Sequence, residues 1–432
     1  MLSLAGFLIV VSVVAVLMSG KVSPIIALIV IPVVGALLAG FGLKDLGMFF
    51  SEGLNKVMSV AVIFIFAILY FGIMRDVGLF EPILNKLIDM TRGNILSVTV
   101  LTIMIAAMAH LDGSGASTFL IAIPALLPLY QHLKLSPYLL LLLVSSSASI
   151  MNMLPWAGPI GRVASVLGSD PVSLWYPLIP VQLAAMALLL AMAMFLGIRE
   201  SRILRLCPVT DIEPRVSATP EPQAQFRSGY FAFKRSNFLL TVLLIATLMS
   251  GLLPSAFVFM LAVCAALMLN YPDVKTQMDQ IRAHAPDALV MASVIFAAGV
   301  FLGVLKMTGM LDSLALSLIS FLPEHTVPYL HIIVGIVGVP FELILNTDAY
   351  YFALVPVVQK VVSGYGVTPE SAAYAMLIGN IVGTFVSPFS PALWLALGLA
   401  GLEMGRHVMY SFFWIWGVGL SLLAFARIIG II

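Results

Sequence analysis

Five ionisable residues stand where the surrounding sequence is almost wholly apolar: His110, Asp112, Arg162, Glu342 and Asp348. An ionisable group inside a membrane span costs about 3 kcal/mol even on a lenient insertion scale, so such groups mark ion and substrate paths. Asp112, Asp348 and Glu342 are therefore candidates for carrying protons. His110 has two readings, a packed neutral imidazole or a further proton carrier. Arg162 also has two: it faces a site, or it snorkels to the surface. These residues gather at or near four polar interruptions of apolar sequence. Two are short tips, Leu111-Asp112-Gly113-Ser114-Gly115 and Asn346-Thr347-Asp348. Two are proline-paired breaks, NMLPWAGP from Asn152 and TFVSPFSP from Thr384. Each proline removes a backbone donor and unwinds the helix around it.

The small, hydroxyl and amide residues at these interruptions can bind an anion through side chains and freed backbone groups. They nominate Gly113, Ser114, Gly115, Ser117, Thr118, Asn152, Pro155, Gly158 and Arg162 from the first half of the chain. From the second half they nominate Asn346, Thr347, Asn380, Thr384, Ser387, Pro388 and Ser390. The serines at 145–147 and 149 also fit a close helix approach, and Gly379 and Gly383 a packing face. Hydrolase chemistry is disfavoured. Gly113-Ser114-Gly115 lacks the G-x-S-x-G frame, His110 lies only four residues from Ser114, and H-E-x-x-H is absent.

What positions these residues is a membrane-spanning framework. Of 432 residues, 61% are hydrophobic and only 9% charged, too few to clothe a soluble fold of this size. A net charge of +1 without a dense basic cluster argues against nucleic-acid binding. Cys207 and Cys264 fit neither a disulfide framework nor a zinc site. Leu2–Met18 has no basic residue before it and reads as a first span rather than a cleavable signal. Apolar runs at 3–19, 24–42, 57–74, 137–167 and 171–197 are followed by a polar stretch, 198–236. Further runs cover 237–252, 254–270, 288–306, 370–400 and 407–429. The runs 95–133 and 327–362 are too long for one span, and both are broken midway, so they read as re-entrant hairpins.

The two halves repeat. VIFIFAILYFGIMRDVGLF from Val62 matches VIFAAGVFLGVLKMTGML from Val294, LDGSGASTFLIAIP from Leu111 matches LNTDAYYFALVP from Leu345, and the two proline breaks align. Five spans per half is an odd number, so the copies are inverted. Residues 1–197 form the first repeat, with hairpin 95–133 and broken helix 137–167. Residues 237–432 form the second, with hairpin 327–362 and broken helix 370–400. This arrangement puts 15 basic residues on one side and five on the other, with Arg162 left within a span. The linker is thus expected in the cytoplasm and both termini outside. The expected fold is an all-α polytopic membrane protein of two inverted repeats with discontinuous helices at the site. A carrier fits an inverted repeat better than a channel does.

At LDGSGASTF, NMLPWAGPIGR, LNTDAYYFALVP and SPFSPALWLALGLAGLEMGRH the chain resembles the citrate–metal:proton symporter family (CitMHS), within the larger ion-transporter superfamily. The resemblance runs the length of the chain. It implies a homodimeric carrier in the bilayer of the inner membrane, working by an elevator-type motion. It also implies citrate, or a related di- or tricarboxylate, entering as a complex with Mg²⁺ or Ca²⁺ and coupled to H⁺, with no permanently bound cofactor. Sodium coupling is the alternative. The chain departs from the family pattern at Ser114, where a second acidic residue is usual, and at Ala157, Ile160 and Arg406. With one acidic ligand fewer, citrate is expected to carry the metal, Asp112 and Asp348 being the only candidates to touch it.

Charge supports this substrate independently. Half-helices expected to begin after Gly115, Pro155, Asp348 and Pro388 would each offer about +0.5 at their N-termini. Arg162 adds one charge and the two aspartates subtract up to two, so the balance lies near about +1. A monoanionic metal–citrate complex matches that better than bare citrate, a trianion. Asn152, Arg162, Ser387 and Ser390 are the residues expected to read its carboxylates.

Overall fold

A computed structural model describes residues 2–19, 21–90, 94–206 and 234–432. The first half contributes α1 (Leu2–Met18), α2 (Pro24–Leu38), α3 (Leu43–Asp76), α4 (Glu81–Met90), α5 (Ile95–Ala109), α6 (Gly115–His132), α7 (Pro137–Met151), α8 (Gly158–Leu167), α9 (Pro171–Trp175) and α10 (Ile179–Leu206). The second contributes α11 (Lys234–Ser250), α12 (Ser255–Asn270), α13 (Val274–Met307), α14 (Met310–Phe321), α15 (Leu330–Ile336), α16 (Gly338–Glu342), α17 (Val355–Ser363), α18 (Pro369–Ile381), α19 (Pro391–Ala400) and α20 (Met404–Ile428). A π-helical turn, Ala349–Leu354, leads into α17. No strand occurs among the described residues.

Local chemistry sets the helix ends. Ser23, Asp170 and Thr368 cap the next helix through side-chain oxygens, each with proline at the first helical position. Proline is suited to that place because its missing N–H is not needed there. α7 stops at Met151, four residues before Pro155, where the proline ring would strike the carbonyl. The element order runs in parallel in the two halves. α3 and α13 are each 34 residues long, each is followed by a short helix and a hairpin, and then come a broken helix and a long final one. The hairpin arms are α5 and α6 in the first half, and α15–α16 and the π turn with α17 in the second. The segments Leu43–Asp76, Pro171–Arg202, Val274–Met307 and Met404–Ile428 are long and apolar enough to cross a membrane singly.

Two boundaries differ from expectation. The polar stretch 198–236 is shorter as a linker, because α10 continues to Leu206 and α11 begins at Lys234. Arg199 and Arg202 extend an existing helix instead of breaking it, as their propensity allows. Residues 207–233, and with them Cys207, lie outside the described residues. The half-helices after the proline breaks begin at Gly158 and Pro391, three residues later than Pro155 and Pro388, because the second proline of each break opens the helix.

Buried side chains form a large cluster uniting both hairpins, both broken helices, α10 and α20 with the middle of α3 and part of α13. A second cluster packs α3 against α11 and α12, and a third packs α13 against α1 and α2. Each long helix is thus lined by helices from the other half. α3 and α13 cross so closely that a Cβ on Gly53 would lie 2.0 Å from the Gly299 carbonyl oxygen. Glycine is required there by backbone proximity alone.

Candidate substrate site

The tip of the first hairpin is built around Asp112. Gly113 turns the chain at φ +73°, a conformation that excludes most side chains, and donates its N–H to His110 O at 2.9 Å. The Asp112 carboxylate accepts from Ser114 N at 2.9 Å, from Ser117 Oγ at 2.5 Å and from Arg75 Nη1 at 3.0 Å. Arg75 lies in the last turn of α3, so an ion pair joins that long helix to the hairpin. His284 Nε2 meets Asp76 Oδ2 at 2.9 Å beside it. Trp156, stacked on Phe71 at 4.7 Å, donates its indole N–H to Leu111 O.

His110 is fully buried, with Nδ1 2.7 Å from Thr118 Oγ1 and Nε2 3.1 Å from Asn152 Oδ1. The Thr118 hydroxyl donates its proton to Ser114 O at 2.8 Å, so the His110 ring ties the first hairpin tip to Asn152 at the first break. Asn152 Nδ2 is left buried and without a partner.

The second tip follows other rules. Arg162, in α8, places Nε 2.7 Å from Asp348 Oδ1, and the two side chains are only 13% and 12% exposed. The arginine does not snorkel. Asn346 Oδ1 accepts from Ala349 N at 2.8 Å, and its Nδ2 reaches Leu17 O at 3.5 Å. Thr347 donates to Glu342 Oε1 at 3.1 Å. The breaks themselves are tied together where Phe385 N donates to Ser149 Oγ at 3.3 Å.

Between the tips and breaks lies a cavity of about 640 Å³, within the usual range for small-molecule sites. Nine of the nominated residues line it: Gly113, Asn152, Gly158, Arg162, Asn346, Thr347, Asp348, Thr384 and Ser390. The others stand behind the wall. Ser114 caps α6, Gly115 packs under Phe385, and Ser117 and Thr118 bond to the tip. Asn380 donates to Gly338 O, Ser387 donates to Glu342 O, and Pro388 O accepts from Trp394. Pro155, Asp112, His110 and Glu342 also lie off the cavity surface. Of the four expected half-helix N-termini, those of α8 and α19 supply wall residues, Gly158 and Pro159 in one and Pro391 and Ala392 in the other.

Wall residues that the sequence does not single out include Lys21, Leu17, Met291 and Phe389. Lys21 sits in the turn between α1 and α2 and looks in sequence like an ordinary flanking charge. Arg75 likewise reads in sequence as an ordinary flanking charge. The signal for it was available, since buried Asp112 requires a cation and few exist in this chain.

Helical hairpins, paired broken helices and a polar cavity at their junction define a membrane transporter. The chain belongs to the citrate transporter family, whose profile matches residues 3–379. A citrate transporter of Bacillus subtilis (strain 168) is 38% identical over the whole of both chains. The Mg(2+)/citrate complex secondary transporter of the same organism is 36% identical over 100% of this chain and 99% of its own. The crystal structure of the YdaH transporter of Alcanivorax borkumensis has the same fold, with a TM-score of 0.63 over 89% of this chain and 88% of that one at 16% identity.

Proposed function

We propose that the protein imports citrate as its complex with a divalent cation, by proton symport across the inner membrane. The charge balance of the cavity is the observation that carries this reading. Arg162 and Asp348 neutralise each other at 2.7 Å, which leaves the N-termini of α8 and α19 and the Lys21 side chain as positive features of the wall. Two helix N-termini supply about +1 together, and exposed Lys21 adds a solvent-screened charge. A monoanionic metal–citrate complex suits that field, and Asn152 Nδ2 offers it a donor. In this reading the metal is cargo carried by citrate. A relative named for the Mg(2+)/citrate complex supports the same substrate.

Coupling to protons is supported by Glu342, a carboxyl at 0% exposure with no ion-pair partner. The linker is cytoplasmic and the termini external by the distribution of basic residues. The hairpins move as part of a transport domain in a homodimer, as the family resemblance implies.

Uptake of radiolabelled citrate into proteoliposomes tests this directly. Uptake should rise on adding Mg²⁺ or Ca²⁺ and collapse in excess EDTA, and an imposed proton gradient should drive accumulation. Undiminished uptake in EDTA would make free citrate or another organic acid the substrate. Accumulation driven by sodium instead would replace the coupling ion.

A further inference from the structure

The three carboxylates near the cavity are not equivalent. Asp112 has Arg75 at 3.0 Å and two further donors, and Asp348 has Arg162 at 2.7 Å. Each already holds a permanent cation. Glu342, at the end of α16, has none. Its Oε1 accepts from Thr347, but its Oε2 is buried without any hydrogen-bond partner. The Asn380 carboxamide of α18 interacts with the Glu342 carboxyl, and its own Oδ1 is also buried and partnerless, because Nδ2 is turned to Gly338 O at 3.1 Å. Glu342 Oε2 and Asn380 Oδ1 are thus both buried acceptors without a hydrogen-bond partner, and each carries a desolvation penalty.

A proton cures this. Bound to Oε2, it makes the carboxyl neutral and donates to Asn380 Oδ1, satisfying both atoms at once. A sodium ion fits less well, since carriers hold it with freed carbonyls at half-helix ends. Here the carbonyls at the end of α18 are taken: Asn380 O accepts from Gly383 N at 2.9 Å and Ile381 O from Thr384 N at 3.2 Å. The Cβ and Cγ of Glu342 lie only 3.3 Å from where a Cβ on Gly383 would stand, so little space remains.

We infer that Glu342 and Asn380 together form the binding site for the coupling proton, set behind the cavity wall and reached through Thr347. This rests on the proton-coupled reading above. The other groups that act on Glu342 are the Arg162–Asp348 pair, which is neutral as a whole, and the hydroxyls of Tyr350 and Tyr351. None of these supplies a compensating cation. Thr347 lines the cavity beside Asp348 and donates to Glu342, so one hydroxyl links the substrate space to the proton. When Glu342 releases its proton, the carboxylate needs a donor, and Asn380 can supply one only by turning Nδ2 away from Gly338 O. That turn loosens the contact of the second hairpin with α18, where Gly338 and Gly379 pack backbone to backbone.

The experiment compares wild type with Glu342→Gln as full-length protein in proteoliposomes, using radiolabelled citrate with Mg²⁺. Glutamine keeps a donor for Asn380 Oδ1 and cannot titrate. Wild type should accumulate citrate on a proton gradient. Glu342→Gln should lose that accumulation while still exchanging internal for external citrate. Infrared spectra taken across a pH titration should show a protonated-carboxyl band in wild type that is missing from Glu342→Gln. If wild type responds to the gradient and Glu342→Gln accumulates equally well, the site is wrong although the function stands. If wild type ignores the gradient, the coupling reading itself fails. Should Glu342→Gln fail to fold, Asn380→Leu carries the test: Glu342 loses its acceptor, and the pH of half-maximal uptake should move. An unchanged profile overturns the proposal.

Discussion

Arg162 and Asp348 meet at 2.7 Å across elements 186 residues apart, and both face the cavity. An ion pair this buried adds little net stability, but losing one partner strands a charge, at a cost of about 3–5 kcal/mol. Water in the cavity moves the figure toward the lower end. Arg162→Ala should therefore unfold at a clearly lower temperature in detergent, and Arg162→Ala with Asp348→Asn should recover most of that loss. Neither variant should transport citrate. A double variant no more stable than the single one would show that packing, not charge, is what Arg162 provides. Sequence alone singled out both residues but could not pair them, because the pairing depends on how α8 approaches the second tip. Asp112 and Asp348 look alike in sequence, yet one anchors a hairpin to α3 and the other meets the guanidinium at the site.

The hairpins and breaks were legible as elements because a polar or proline-rich patch inside an apolar run must sit within protein or beside water at membrane depth. Their use was less legible. Ser387 and Asn380 lie within the right break and helix, but they point into backbone contacts, and no periodicity distinguishes a wall residue from one behind it. Lys21 and Met291 join the cavity only through the approach of other elements to the tips. The first hairpin shows how tightly such an approach is set: a Cβ on Gly115 would lie 2.4 Å from the Phe385 ring, which itself packs edge-on against His110 and Phe119. Gly115→Ala overpacks this junction by one methyl, at about 1–3 kcal/mol. It should raise the citrate concentration for half-maximal uptake, and Gly115→Ala with Phe385→Leu should restore part of the loss. A fully active, equally stable Gly115→Ala would mean that the hairpin and the second break can separate at this point without cost.

In the whole molecule, α3 and α13 share in the common cluster of hairpins and broken helices and also anchor clusters of their own, and the second hairpin in turn packs into the cluster around α13. Asn346 at the second tip touches the Leu17 carbonyl of α1. Leu17→Cys with Asn346→Cys, in a chain whose Cys207 and Cys264 are replaced by serine, should form a disulfide under mild oxidation and stop citrate uptake until a reductant is added. Full transport by the cross-linked protein would rule out movement of this tip relative to α1. The exchange of partners between halves reaches beyond transport, into how the protein is made. A ribosome delivers α3 long before α11 and α12 exist to line it, and α1 and α2 wait through most of synthesis for α13. The first half therefore enters the bilayer with its longest helix lacking its final neighbours, and must be kept from lipid-borne misassembly until the second half of the chain arrives. An interrupted translation product has no intermediate stopping point at which half the carrier is a finished object.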